Sequence, residues 1–115
     1  MNIITFLRRV LFVLQGKVVH LSPQGTSRGN VLISYTTLPF LDRREKILAA
    51  HTNRWECRQM AQIFLDLGYT VDVIDFENKS FELKKPYSYF IDVGSNMERI
   101  GPTLGASCTK IYHAT

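Results

Sequence analysis

The amino-acid sequence predicts an α/β fold with a short parallel sheet, and three observations support this prediction. First, the chain contains four short runs rich in β-branched and other apolar residues, each long enough for one strand: residues 30–35, 69–75, 87–93 and 108–114. Second, a helical pattern over residues 53–68 separates the first two runs. Third, the first run, NVLISY, lacks the apolar–polar alternation of a half-exposed strand and suits a strand covered on both faces. Alternation of such strands with helices is typical of a parallel α/β layer.

The helix over residues 53–68 has recognisable start and stop signals. Asn53 and Glu56 stand three positions apart, as in a capping box, and Gly68 supplies a C-terminal stop. The predicted buried face is an apolar stripe at helical spacing, made of Trp55, Met60, Ile63, Phe64 and Leu67.

A second helix is predicted after the third strand, because Ser95 and Glu98 form another capping box. Right-handed crossovers then favour the spatial order third, second, first, fourth for the predicted strands, written 3-2-1-4. Two helices cannot cover both faces of four parallel strands, so one face of the sheet is expected to lie bare. The sequence therefore predicts the first part of a longer α/β protein, with a partner chain as the alternative source of cover.

Length and charge divide the chain into an N-terminal segment and one folded domain. With 115 residues, the chain is long enough for one domain and too short for two. The basic residues of positions 1–29 supply the whole net charge of +4, and no acidic residue accompanies them. Residues 30–115 have balanced charge, so the predicted domain offers no basic face for nucleic acid.

Residues 3–14 form a basic, apolar segment with two interpretations. Arg8 and Arg9 interrupt the apolar run, which does not fit a secretory signal and leaves no stretch of about 18 apolar residues for a membrane span. As a helix, the segment would lie on a membrane surface with its arginines on anionic headgroups. Alternatively, it would dock on another part of the protein. Residues 15–29 are typical of a linker with one short strand.

Polar residues cluster where the predicted strands end and the helices begin, at the edge where open α/β sheets bind ligands. Backbone N–H groups at a helix start favour anions and polar hydroxyls. The candidate substrate-binding residues lie at two helix starts and at the end of the fourth strand: His51, Thr52, Asn53, Ser95, Asn96 and His113. The alternative roles are structural, namely helix capping for the asparagines and serine, solvation of the first histidine and a structural contact for the second.

The sequence indicates no metal, cofactor or disulfide site, and no catalytic residue can be assigned. Cys57 and Cys108 lack the spacing of a zinc site and are expected to be free apolar side chains. The residues after the first strand, YTTLPF, lack the glycine fingerprint of dinucleotide binding. Asp72, Asp75 and Glu77 are expected to form a solvated strand end.

Three segments of the chain resemble a known family. They are VLISYTTLPF, HTNRWECRQMAQIFLDLGYTVDVIDF and YSYFIDVGSNMERIGPTLGASCTKIYHAT. Together they are similar to the N-terminal Rossmann-like domain of bacterial GT-B glycosyltransferases, in particular the family-4-like, retaining group. The resemblance covers about residues 30–115; its most recognisable part is the helix followed by LGYTVDVID, and HTNRWE with SNMERI is more particular.

The resemblance implies half of a two-domain enzyme that transfers a sugar from a nucleotide-sugar donor to an acceptor. In such enzymes the N-terminal domain shapes the acceptor side and the C-terminal domain makes most donor contacts, so the chain alone is expected to be inactive. The six candidate residues would face the interdomain cleft of a cytoplasmic enzyme working at the inner membrane surface. Because the glycine-rich loop of many relatives is missing, a donor-phosphate contact by Thr36 or Thr37 is not implied. The alternative is a non-catalytic α/β binding or interaction module attached to a membrane surface.

Overall fold

The computed structural model describes residues 2–41 and 52–114. Within them, the strands are β1 (Val19–Leu21), β2 (Asn30–Tyr35), β3 (Thr70–Asp75), β4 (Tyr89–Asp92) and β5 (Thr109–Tyr112). The helices are α1 (Ile3–Leu14), α2 (Leu38–Leu41), α3 (Thr52–Asp66) and α4 (Asn96–Ile100), and a 3₁₀ turn (Gly101–Thr103) follows the last. The four predicted strands are confirmed as β2 to β5, and β1 is the short strand expected in the linker.

The strands form one sheet in the order β1-β3-β2-β4-β5. Strands β2 to β5 are parallel, and β1 pairs antiparallel with β3 at one edge. The predicted order 3-2-1-4 is wrong, because residues 76–88 carry the chain from β3 back across β2 to its other side. The strand order therefore reverses between β2 and β4. Two right-handed crossovers that run in opposite directions place their connections on opposite faces of the sheet.

Both faces of the central strands are covered, so the prediction of a bare face is wrong for them. On one face, α3 covers a cluster that includes Val31, Ile33, Val71, Val73 and Ile91. On the other face, Leu32, Ile74 and Phe90 pack against Phe81, Tyr87, Ile100, Leu104 and Cys108. The irregular segment 76–88 thus helps to cover this face of the sheet, where an α/β fold usually places a helix. At the far edge, β5 is exposed along its whole length.

Helix α3 approaches the sheet through small residues. Its residues in the core cluster are the buried Cys57 and Ala61, with Met60, Phe64 and Leu65 packed alongside. Three members of the predicted stripe are exposed instead: Trp55, Ile63 and Leu67. The helix ends at Asp66, and the predicted stop residue Gly68 follows two positions later with a φ of +93°, a conformation that glycine adopts without strain.

The start of α4 differs from the predicted capping box. Ser95 precedes the helix, but its side chain makes no capping hydrogen bond. The backbone N–H of Met97 donates instead to Asp92 Oδ2 at 2.7 Å. The Ser95 hydroxyl accepts a hydrogen bond from Lys79 Nζ at 2.6 Å. The carboxylate at the end of β4 therefore stabilises the first turn of α4.

The carboxylates of β3 are not a solvated strand end, contrary to the prediction. Asp72 and Asp75 are each 1% exposed, whereas Glu77 is exposed. Buried carboxylates require hydrogen-bonded or charged partners. His20 on β1 lies directly opposite Asp72 in the strand pairing and contacts it, and Arg9 contacts Asp75. Both partners come from the segment that precedes β2.

Helix α1 docks near the carboxyl edge of the sheet, as the second interpretation of residues 3–14 predicts. It contacts α2, and Arg9 makes two hydrogen bonds of 3.1 Å to the Asp75 carboxylate at the end of β3. Its apolar residues Ile4, Leu7 and Leu11 are nevertheless 62%, 51% and 56% exposed. In the described ranges, no helix has both the length and the apolar character needed to cross a membrane.

Candidate functional site

The carboxyl edge of the sheet brings together the ends of β2, β4 and β5. Ligands of open α/β sheets bind outside this edge, where the strand order reverses. Here the reversal lies between β2 and β4. Tyr35 is the last residue of β2, and His113 follows β5 directly, with its backbone N–H donating to the Asp92 carbonyl at 2.8 Å. Side chains that extend from these positions are therefore candidates for ligand contact.

A carboxylate on α3 joins the two strand ends. Glu56 Oε1 accepts hydrogen bonds from the Tyr35 hydroxyl at 2.9 Å and from His113 Nε2 at 2.6 Å. The Tyr35 and His113 rings lie 6.2 Å apart, centre to centre. Because β4 lies between β2 and β5 in the sheet, the contact between Glu56 and His113 spans the point of strand-order reversal. We call Tyr35, Glu56 and His113 the edge triad.

The hydrogen bonds of the edge triad fix its protonation states. The Tyr35 hydroxyl is the main cause, and His113 the second, of a Glu56 pKa below its usual value. Burial is the main cause, and the same contact with Glu56 the second, of a Tyr35 pKa above its usual value. Near neutral pH the site therefore holds an ionised carboxylate and a protonated phenol, and His113 Nε2 is the donor in its contact with that carboxylate. Glu56 and His113 are each 34% exposed, so they remain accessible from solvent.

The polar atoms left over define what the site can bind. Glu56 Oε2 and His113 Nδ1 make no hydrogen bond to any residue in the described ranges. The first can accept two further hydrogen bonds, and the second can accept one when the imidazole is neutral. Asn53 adds an amide beside them, because its Oδ1 lies 3.3 Å from the Tyr35 hydroxyl. The arrangement suits a ligand that presents several hydroxyl groups.

A second polar network lies at the same edge on the opposite face of the sheet. Asn96 is fully buried, and its amide donates to Ser34 Oγ at 3.1 Å and to the Phe76 carbonyl at 3.3 Å. Its Oδ1 accepts from Lys79 Nζ at 3.3 Å. Ser95 Oγ shares the same lysine. These contacts tie α4 to β2 and to the segment after β3.

Two buried oxygens at this edge lack a partner. Thr37 Oγ1 follows β2 and Asp92 Oδ1 ends β4, and neither makes a hydrogen bond within the described part of the chain. A buried polar atom without a partner costs about 1–3 kcal/mol. Both side chains are fully buried, so the described part of the chain leaves these two oxygens unsatisfied beside the reversal point.

The structure separates the candidate residues of the sequence into two groups. Asn53 and His113 join the edge triad, while Ser95 and Asn96 belong to the network around Lys79. Thr52 is the first residue of α3, and His51 lies outside the described residues. The sequence prediction missed Tyr35 and Glu56 as site residues. The signal for Tyr35 is that it ends a strand at the binding edge. Glu56 gives no such signal, because its position three residues after Asn53 indicates a helix cap.

The described residues support neither a metal-binding site nor a reactive thiol. No group of three or more His, Cys, Asp or Glu there could hold a metal ion. Both cysteines are buried and free, as predicted. Burial raises the pKa of the Cys57 thiol to about 12, and its Sγ donates to the Thr36 carbonyl at 3.3 Å. A thiol held in this way stays protonated and is a poor nucleophile at neutral pH.

Comparisons of the chain with protein-family models, with curated proteins and with solved structures give no match.

Proposed function

We propose that this chain is the acceptor-side domain of a glycosyltransferase. The domain would bind a sugar-bearing or hydroxyl-bearing acceptor at its carboxyl edge, and a second, donor-binding domain would supply the nucleotide-sugar. This proposal follows the resemblance of residues 30–115 to GT-B N-terminal domains. The observation that carries it is the Glu56 carboxylate, which connects the ends of β2 and β5 across the strand-order reversal.

The chemistry of the edge triad supports an acceptor with hydroxyl groups. A carboxylate held ionised, with one oxygen free, is a strong acceptor for hydroxyl donors. His113 and Asn53 add polar atoms of both types around it. In contrast, Arg9 and Lys79 near this edge are already committed to Asp75 and Ser95. These two described cations are therefore not free to hold a diphosphate, which fits a division of labour in which another domain holds the donor.

The experiment combines binding and activity measurements on the full chain. We expect a panel of methyl hexosides to shift the NMR signals of Tyr35 and His113, and UDP-glucose to be left unhydrolysed and untransferred. Glu56→Gln should abolish the hexoside shifts, and Glu98→Gln, at an exposed carboxylate of α4, is the matched control. Hexosides that leave the carboxyl-edge signals unchanged would overturn the proposal. Turnover of UDP-glucose by this chain would contradict its assignment to the acceptor side.

The exposed side of α1 favours a second element of the proposal, peripheral contact with a membrane. Ile4, Leu7 and Leu11 form an apolar stripe that no other described residue covers, and Arg8 is exposed beside it. An amphipathic helix of this kind partitions into the headgroup region of anionic membranes. Membrane contact would place a glycosyltransferase near lipid-linked acceptors. It is also what the alternative function, a non-catalytic module on a membrane surface, requires.

A further inference from the structure

A cavity lies away from the edge triad, beside the edge strand β1. It has a volume of about 390 Å³ and is bordered by His20, by Asp72 and by the connection between β3 and β4. Asp72 lies on the sheet face opposite α3, because it alternates with the α3-facing residues Val71 and Val73 along β3. The cavity therefore shares no lining residue with the site proposed for the acceptor.

The Asp72 carboxylate fixes the positions of side chains that border the cavity. It is 1% exposed, and it accepts hydrogen bonds from His20 Nδ1 at 2.6 Å and from the Tyr87 hydroxyl at 2.7 Å. Lys85 Nζ forms an ion pair with the same carboxylate at 2.8 Å. Because these donors occupy both carboxylate oxygens, Asp72 offers little to an incoming cation. Its effect is to hold three donor side chains in fixed positions.

Polar atoms that remain free line the cavity. Since His20 Nδ1 donates to Asp72, Nε2 on the other side of the ring is an acceptor in the neutral imidazole and donates only when both ring nitrogens carry protons. Lys85 has used one N–H on the carboxylate and keeps two. Lys84 also lines the cavity and makes no hydrogen bond or ion pair within the described ranges. The acidic residue on the exposed rim is Glu82.

We propose that this cavity binds a phosphate monoester through Lys84 and Lys85, beside the ring of His20. Ammonium groups bind phosphate as point charges, and charge-assisted hydrogen bonds to phosphate are stronger than neutral ones. The phosphate would belong to a soluble metabolite or to a lipid headgroup. The lipid source is sterically reasonable because Gly16, two residues after α1, also borders the cavity.

The first arm of the test uses inorganic phosphate with the full chain at constant ionic strength. We expect saturable shifts of the His20 ring signals, with His113 as the internal reference. Lys84→Gln should weaken binding about tenfold, which is the loss of one charge-assisted contact. Glu82→Gln should tighten it, because it removes a like charge from the rim. Both side chains are exposed, so neither change should disturb folding. Lys110→Gln, on the distant β5, is the matched control.

The second arm distinguishes the lipid source. Phosphatidylcholine vesicles with and without phosphatidic acid are mixed with the wild-type chain and with the Lys84→Gln variant. A phosphatidic-acid-dependent association that falls about tenfold in the variant assigns a lipid phosphate. Membrane contact through α1 alone would not depend on Lys84, so the two proposals fail separately. The cavity proposal is overturned if neither probe depends on Lys84, or if Glu82→Gln weakens and Lys84→Gln tightens phosphate binding.

Discussion

Asp72 and Asp75 lie on the same strand, each 1% exposed, and their pKa values shift in opposite directions. Burial alone would raise both. For Asp72, the hydrogen bonds from Lys85, Tyr87 and His20 outweigh burial and lower the pKa. For Asp75, burial remains the larger effect and raises the pKa despite the Glu77 backbone N–H and Arg9. The first carboxylate is therefore stabilised as an anion by the fold, and the second is not.

Asp72→Asn should destabilise the protein at neutral pH. The variant leaves the 35% exposed ammonium of Lys85 without its counter-ion, and the cost of breaking a buried pair, discounted for solvent screening at this lysine, is about 1–2 kcal/mol. Because the folded-state pKa of Asp72 is depressed, its contribution is present above the unfolded pKa and is lost as pH falls through the folded value. Urea unfolding of the wild type and the variant should therefore differ most near neutral pH and converge in acid.

Asp75→Asn provides the matched comparison at the other buried carboxylate. Its folded-state pKa is raised, so its contribution is present below the unfolded pKa and is lost as pH rises through the folded value. At neutral pH the neutral amide should therefore change the free energy of unfolding by no more than about 1 kcal/mol. Equal losses in the two variants would contradict the opposite pKa shifts.

The strands could be predicted from sequence, but their order could not. Residues 30–35 and 70–75 are β-branched runs whose pattern depends on local burial, and both were found within one residue. Strand order depends on the direction taken by residues 76–88, which form no helix and carry no periodic signal. That segment also buries Phe81 and Tyr87 against the sheet, which is why the expected bare face is covered.

The buried face of α3 and the partner of His113 could likewise not be predicted from the sequence. Trp55 and Leu67 fit a helical stripe as well as Cys57 and Ala61 do, and only the smaller pair allows α3 to approach the sheet closely. Side-chain hydrophobicity alone favours the larger residues for the buried face of the helix. Likewise, His113 could be placed at the binding edge from its position after a strand. Its partner Glu56 lies 57 positions away in the sequence, and no local pattern links the two.

Tyr35→Phe should raise the pKa of Glu56 towards its usual value. The Tyr35 hydroxyl is the first cause of the depressed pKa, and the contact with His113 is the second. Removing the hydroxyl keeps the ring in the core and should cost about 1 kcal/mol of stability or less. An NMR titration of the Glu56 side-chain carboxyl measures the change directly. A larger increase in His113→Asn than in Tyr35→Phe would reverse this order of causes.

The exposed stripe of α1 predicts binding to anionic vesicles that depends on specific leucines. Complete burial of a leucine contributes about 1.5–3 kcal/mol, so the double change Leu7→Gln and Leu11→Gln should weaken vesicle binding at least about 100-fold. Co-sedimentation with vesicles containing phosphatidylglycerol measures this. The matched control changes Ile63 on α3 and Leu67, which directly follows α3, to Gln, because these residues are 57% and 51% exposed. Equal losses in both double variants would show that binding follows general surface hydrophobicity rather than α1.

Arg9→Gln should release α1 while leaving the sheet folded. Arg9 holds the helix to the buried Asp75 through two hydrogen bonds of 3.1 Å. Among the described side chains of α1, Thr5 is buried and Arg9 is 18% exposed. A helix of 12 residues is marginal in isolation, since helices shorter than about 12–15 residues need tertiary contacts. We therefore expect the amides of α1 to exchange hydrogen at least about tenfold faster in the variant, which corresponds to about 1.4 kcal/mol of local stability.

Arg8→Gln is the control for this change, because it removes the same charge from the neighbouring, exposed position of α1. Amides of β2 and β4 should keep their wild-type exchange rates in both variants, since those strands lie in the core and Arg9 makes its hydrogen bonds to Asp75 on β3. Faster exchange of α1 in Arg9→Gln alone would establish the Arg9–Asp75 pair as the contact that docks the helix. If Arg8→Gln loosens α1 equally, the docking depends on the net charge of the helix, and the geometry of the Arg9 contact is not its cause.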